Sequence, residues 1–95
     1  TEAEVTVVLD GVTRSFVVEK GKESILEAGL RNGIELPYSC KGGVCSTCRA
    51  KLTAGEADMD ANFALEDYEV ARGFVLTCQS YPVTDRVTVD YDQTA

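Results

Sequence analysis

The sequence predicts an α+β fold, a β-sheet packed on one main helix. Three observations predict it: period-two alternation of apolar residues near both ends of the chain, an Asp-Gly hairpin signal between two such runs, and a single strong helix-opening box. Val5, Val7 and Leu9 alternate with Thr6, Val8 and Asp10, the pattern of a half-buried strand. Asp10-Gly11 turns the chain into a returning strand from Val12 to Val18. After a turn at Lys20-Gly21-Lys22 comes the capping box Ser24-Ile25-Leu26-Glu27. Its serine accepts a bond from the glutamate amide while the glutamate reaches back. The helix runs to about Asn32 and stops at Gly33, with Ile25, Leu26 and Leu30 facing the core. Pro37 ends a short extended piece, and Tyr38 to Cys48 form a loop. Ala50–Thr53 reads as a short strand turning at Ala54-Gly55, and Leu65–Arg72 as a short helix closed by Gly73. Phe74–Thr77 and Arg86–Tyr91 read as two further strands, with Pro82 in their connection. The order ββ-α-β-α-ββ leaves the topology open.

Ninety-five residues suffice for a single domain spanning 1–95, with no room for a second core. A content of 44% hydrophobic and 26% charged residues, with two prolines, excludes a disordered or fibrous chain. The longest aliphatic or aromatic runs, Val7-Val8-Leu9 and Phe74-Val75-Leu76, are far too short to span a bilayer. Thr1-Glu2-Ala3-Glu4 has neither a basic nor an apolar signal region, so a cytoplasmic location is expected. A net charge of −7 argues against nucleic-acid binding and favours a partner that is basic at the contact. There is no histidine, so a metal site must rest on thiolates or carboxylates.

The four cysteines carry the chemistry. Cys40-x4-Cys45-x2-Cys48 is followed by Cys78 at the end of the Phe74–Thr77 strand. Disulfides fit badly, because three of the thiols are bunched and no export signal is visible. Structural zinc usually draws on two Cys-x2-Cys knuckles, and only Cys45 and Cys48 make one. The spacing is instead that of a plant-type [2Fe–2S] cluster, three ligands on one loop and a fourth from a strand. Formal counting puts such a site at about −2 oxidised and about −3 reduced, an anion that needs many inward-pointing donors. A loop curling its backbone N–H groups around the sulfurs supplies them. Gly42 and Gly43 permit the positive φ and close backbone approach of that curl, and Val44 lies within it. The hydroxyls of Ser39, Ser46 and Thr47 fit either a sulfur-bonding role or a solvated loop.

The run from Pro37 through Cys48, with Leu76-Thr77-Cys78 and Tyr81-Pro82 downstream, resembles the plant-type [2Fe–2S] ferredoxins over essentially the whole chain. The resemblance implies a β-grasp (ubiquitin-like) ferredoxin fold, a mixed sheet on one main helix. It implies one [2Fe–2S] cluster ligated by all four cysteines, Cys40 and Cys45 on the outer iron and Cys48 and Cys78 on the inner one. Met59 to Phe74 and the ending Asp90-Tyr91-Asp92-Gln93 are similar to the C-terminal ferredoxin domains of bacterial oxygenase reductases, most closely those of phenylacetyl-CoA epoxidases. This implies a monomeric one-electron carrier, not itself an enzyme. It would take electrons from an NAD(P)H-dependent flavoprotein reductase and pass them to an oxygenase or other redox enzyme. Such reductases carry FAD- and NAD(P)H-binding domains ahead of the ferredoxin module. This chain has no Gly-x-Gly-x-x-Gly and cannot oxidise a nicotinamide alone. The alternative is the ferredoxin domain of a larger reductase.

Lys41 and Arg49 flank the ligands and either offset cluster charge or are solvated. Tyr38 either shields the cluster or simply packs. The six acids between residues 56 and 69 form either a docking patch or, as expected first, a solvated helix face and loop, and Phe63 is either an exposed contact residue or, as expected first, a core residue.

Overall fold

The computed structural model describes residues 1–39, 42–44 and 46–93. Strands β1 (Glu2–Leu9) and β2 (Val12–Glu19) form the expected hairpin, with Leu9 paired to Val12 across the turn. Asp10 and Gly11 take φ values of 52° and 74°, the two left-handed residues of a type I′ turn. The Asp92 carboxylate, from the far end of the chain, accepts both turn amides at 2.7 and 2.9 Å. Ala3, Val5 and Val7 of β1 and Phe16 and Val18 of β2 point inward, as their alternation requires. Helix α1 (Ile25–Arg31) packs in the same core as this face. Its capping box is complete: Glu27 N–H donates to Ser24 Oγ at 3.1 Å and Ser24 N–H to Glu27 Oε1 at 3.2 Å. Ile25, Leu26 and Ala28 are buried, whereas Leu30 lies at the edge of the core.

Strands β3 (Arg49–Ala54), β5 (Phe74–Leu76) and β7 (Arg86–Asp90) complete a five-stranded sheet in the order β2-β1-β7-β3-β5. β1 and β7 run parallel and the other neighbours antiparallel. Strands from the two ends of the chain thus lie side by side, with Val87 and Val89 of β7 buried at the centre. A mixed sheet holding one main helix is the β-grasp arrangement.

Four details differ from the sequence expectation. A second sheet pairs β4 (Ala57–Met59) with β6 (Ser80–Pro82). Strands this short show no alternation to read, and Pro82 is tolerated because each strand of a two-stranded sheet has a free edge. Strand β5 ends at Leu76, and Cys78 lies in a 3₁₀ turn, Thr77–Gln79. Helix α2 is confined to Asp67–Ala71, with Leu65 buried ahead of it. Phe63 is 77% exposed and not in the core. Its backbone is fixed by a bond to the cysteine loop, which keeps this residue beside that loop and away from the sheet–helix core.

Candidate metal centre

Cys48 ends the cysteine loop at the entrance to β3, and Cys78 follows β5. In the antiparallel β3–β5 ladder Arg49 stands opposite Leu76, so Cys48 and Thr77 meet at the same end of the sheet. Thr77 grips the Cys48 carbonyl twice, from its N–H at 3.2 Å and its Oγ1 at 3.0 Å. The Tyr91 hydroxyl donates to Thr77 Oγ1 at 2.8 Å, and the Ser80 hydroxyl ties the turn back to the Leu76 carbonyl at 2.8 Å. The two cysteine side chains are brought together by this frame. They are 2% and 6% exposed, with sulfurs 3.2 Å apart.

Both are free thiols, and their separation is well beyond the ~2.05 Å of a disulfide. Bonds of ~2.3 Å to one tetrahedral ion would hold two thiolates ~3.8 Å apart, so a small outward shift of the sulfurs admits a shared metal. The Cys78 thiol is pushed up to about 11, first by burial and then by the neighbouring Cys48 sulfur. The Gly43 backbone N–H and the Gln79 side chain act against this by donating to the Cys78 sulfur. A buried pair of soft ligands, with donors aimed at one of them, fits a thiophilic cation that would keep both deprotonated.

Gly43 is buried at φ +80°. A Cβ there would stand 2.8 Å from the Ala61 carbonyl oxygen and 3.1 Å from its carbon. The close approach expected of this glycine is thus to the Ala61 backbone. Phe63 N–H donates to the Gly43 carbonyl at 2.8 Å, and Asp60 N–H to the Gln79 carbonyl at 2.9 Å. Residues 60–63 therefore seat the cysteine loop on one side and the Cys78 turn on the other. No motif in the sequence announces this seat. Thr77 and Tyr91 lie in stretches that carry the family resemblance, but nothing in the sequence announces their contact.

Of the other expected residues, Tyr38, Ser39, Gly42, Val44, Ser46 and Thr47 are all exposed around the loop. Cys40, Lys41 and Cys45 lie outside the described residues. Arg49 is half-buried and pairs with Glu69. Its Nη1 donates to Glu69 Oε2 at 2.5 Å, and its guanidinium lies 5.4 Å from the centroid of the Phe74 ring. Glu69 is 5% exposed and also accepts the Glu66 N–H at 2.9 Å. That amide, against the opposing effect of burial and with help from Arg49, holds its carboxyl below the usual range. Glu69 therefore does not belong to the solvated acids of residues 56–69.

Residues 7–83 match the family model of the 2Fe-2S iron-sulfur cluster binding domain. The chain belongs to this family. It is a plant-type ferredoxin domain, and the cofactor of its fold is a [2Fe–2S] cluster. It is 51% identical over 88 residues to one of the subunits of the 1,2-phenylacetyl-CoA epoxidase of Escherichia coli, covering 93% of this chain and 25% of that protein. The Amycolatopsis cytochrome P450 reductase matches with a TM-score of 0.81 and 36% identity, over 98% of this chain and 26% of the other. Phthalate dioxygenase reductase, described as a modular structure for electron transfer from pyridine nucleotides to [2Fe-2S], matches with a TM-score of 0.72 and 29% identity. That match covers 95% of this chain and 26% of the reductase. The chain thus spans about a quarter of each of these proteins. It is related to the ferredoxin domains of oxygenase reductases, and its function is electron transfer. No helix among the described residues is long and apolar enough to cross a membrane.

Proposed function

We propose that the ferredoxin domain, spanning residues 1–95, carries one electron at a time through a single [2Fe–2S] cluster held by Cys40, Cys45, Cys48 and Cys78. The pairing of the Cys48 and Cys78 sulfurs at 3.2 Å in a buried, donor-lined frame carries this reading. Those two thiolates hold the inner iron, and Cys40 and Cys45 hold the outer one. The cluster supplies reversible one-electron chemistry when bound. The protein excludes water from the inner sulfurs, aims the Gly43 amide at one of them and fixes their separation through Thr77.

The electron donor is a flavoprotein reductase and the acceptor an oxygenase or another redox enzyme. The relatives support this, since one is part of an epoxidase and another a reductase that moves electrons from pyridine nucleotides to [2Fe-2S]. Docking occurs beside the cysteine loop, where Val44 is 63% and Phe63 77% exposed. Asp60 and Glu66, both exposed, stand three residues to either side of Phe63. An apolar spot with an acidic rim suits a basic partner surface with an apolar centre.

Second-order electron exchange with an NAD(P)H-dependent oxygenase reductase, followed by stopped-flow, is therefore expected to slow several-fold as salt rises and the Debye length falls below ~8 Å. Asp60→Asn with Glu66→Gln removes the same charge as Glu2→Gln with Glu4→Gln, but is expected to flatten the salt dependence more. Equal effects of the two pairs would mean that only net charge matters and would remove the docking face.

A further inference from the structure

We propose that Tyr91 is a positioning residue for the cluster, acting on the inner ligand Cys48 through Thr77. The direction of the connecting hydrogen bonds is forced. The Cys48 carbonyl can only accept, so Thr77 Oγ1 spends its single proton on it at 3.0 Å. Thr77 is left with lone pairs alone, and the Tyr91 hydroxyl at 2.8 Å must donate to it. Both O–H dipoles therefore point from β7 toward Cys48, and each bond polarises the next.

Tyr91 is well placed to anchor such a chain. It follows β7 directly, and its own N–H donates to the Val8 carbonyl at 2.8 Å, which fixes it to the centre of the sheet. Its ring packs against the hydrophobic core. Thr77 is fully buried, so no water replaces the tyrosine if its hydroxyl is lost. The relay joins three elements that meet only in the folded state: the end of the cysteine loop, the turn bearing Cys78 and the last strand. With their positive ends toward a ligand residue, these dipoles favour the extra negative charge of the reduced cluster. They also hold the Cys48–Cys78 separation.

The relay rests on Cys48 and Cys78 being cluster ligands. Purified holo-protein carrying Tyr91→Phe, which keeps the ring, is compared with wild type by redox titration and by the rate of cluster release to a chelator. The midpoint is expected to move to a more negative potential and release to quicken about fivefold, the effect of one buried hydrogen bond. Thr77→Val is expected to produce the larger change in both, and adding Tyr91→Phe to it to change nothing further, because the tyrosine acts only through the threonine. Thr77→Ser, which keeps the hydroxyl, is expected to stay near wild type and serves if the valine variant does not fold. A wild-type midpoint in Tyr91→Phe, or an equal shift with and without the Thr77 hydroxyl, overturns the relay alone. A normal cluster in Cys48→Ser overturns the assignment of Cys48 as a ligand and the relay with it.

Discussion

Cys78→Ser is expected to give a folded protein that holds little or no [2Fe–2S] cluster. The loss should exceed the roughly 10–100-fold that removing a ligand's hydrogen-bond partner costs. Serine is close to cysteine in shape, and the frame that carries it is made of contacts it does not alter: the β3–β5 ladder, the Thr77 bonds to Cys48 and the Ser80 tie to Leu76. What changes is the ligand itself, a soft polarizable sulfur replaced by a hard oxygen that ionises far less readily. Cys48 would then face its partner without a second thiolate 3.2 Å away. Circular dichroism at the wild-type level together with iron below stoichiometry is the expected pair of results. A full complement of iron and sulfide would show that Cys78 is not a ligand.

Gly43→Val is expected to impair cluster assembly with every thiolate still in place. Two costs add. A β-branched residue at φ +80° is strained by about 1–3 kcal/mol. Its Cβ would also press on the Ala61 backbone from 2.8 Å, a neighbour that cannot swing aside as a side-chain tip would. The loop can escape only by breaking the Phe63 N–H bond to the Gly43 carbonyl, or by withdrawing the Gly43 amide from the Cys78 sulfur. Gly43→Ala, which meets the same clash without the branching, is expected to fall between wild type and valine. Thermal denaturation of the holo-protein and the yield of reconstituted cluster check both. A valine variant with normal yield and normal Tm would rule out the backbone cradle.

Local signals in the sequence read well where the chemistry is local. The Asp10-Gly11 turn and the Ser24–Glu27 box each need only neighbouring residues, and both form as expected. The cysteine spacing is legible for the same reason, since the residue types and intervals are the signal. Contacts between distant segments are not. Thr77 and Tyr91 meet only because β1, β7 and β3 are neighbours, and that order has no local signature. Arg49 and Glu69, twenty residues apart, find each other because α2 packs beside β5. In the sequence alone, Arg49 therefore looks like a free base and Glu69 like one more solvated acid. Phe63 misleads because hydrophobicity argues for burial, whereas its backbone bond to Gly43 holds it at the surface beside the loop.

Reductive titration of the purified holo-protein, followed by its visible spectrum, tests most directly whether the chain is a one-electron carrier built on a single [2Fe–2S] cluster. The expected result is a red-brown protein that bleaches with about one electron per chain, at a low potential on the order of −400 mV. A colourless protein, or one that takes up about two electrons per chain, would contradict it.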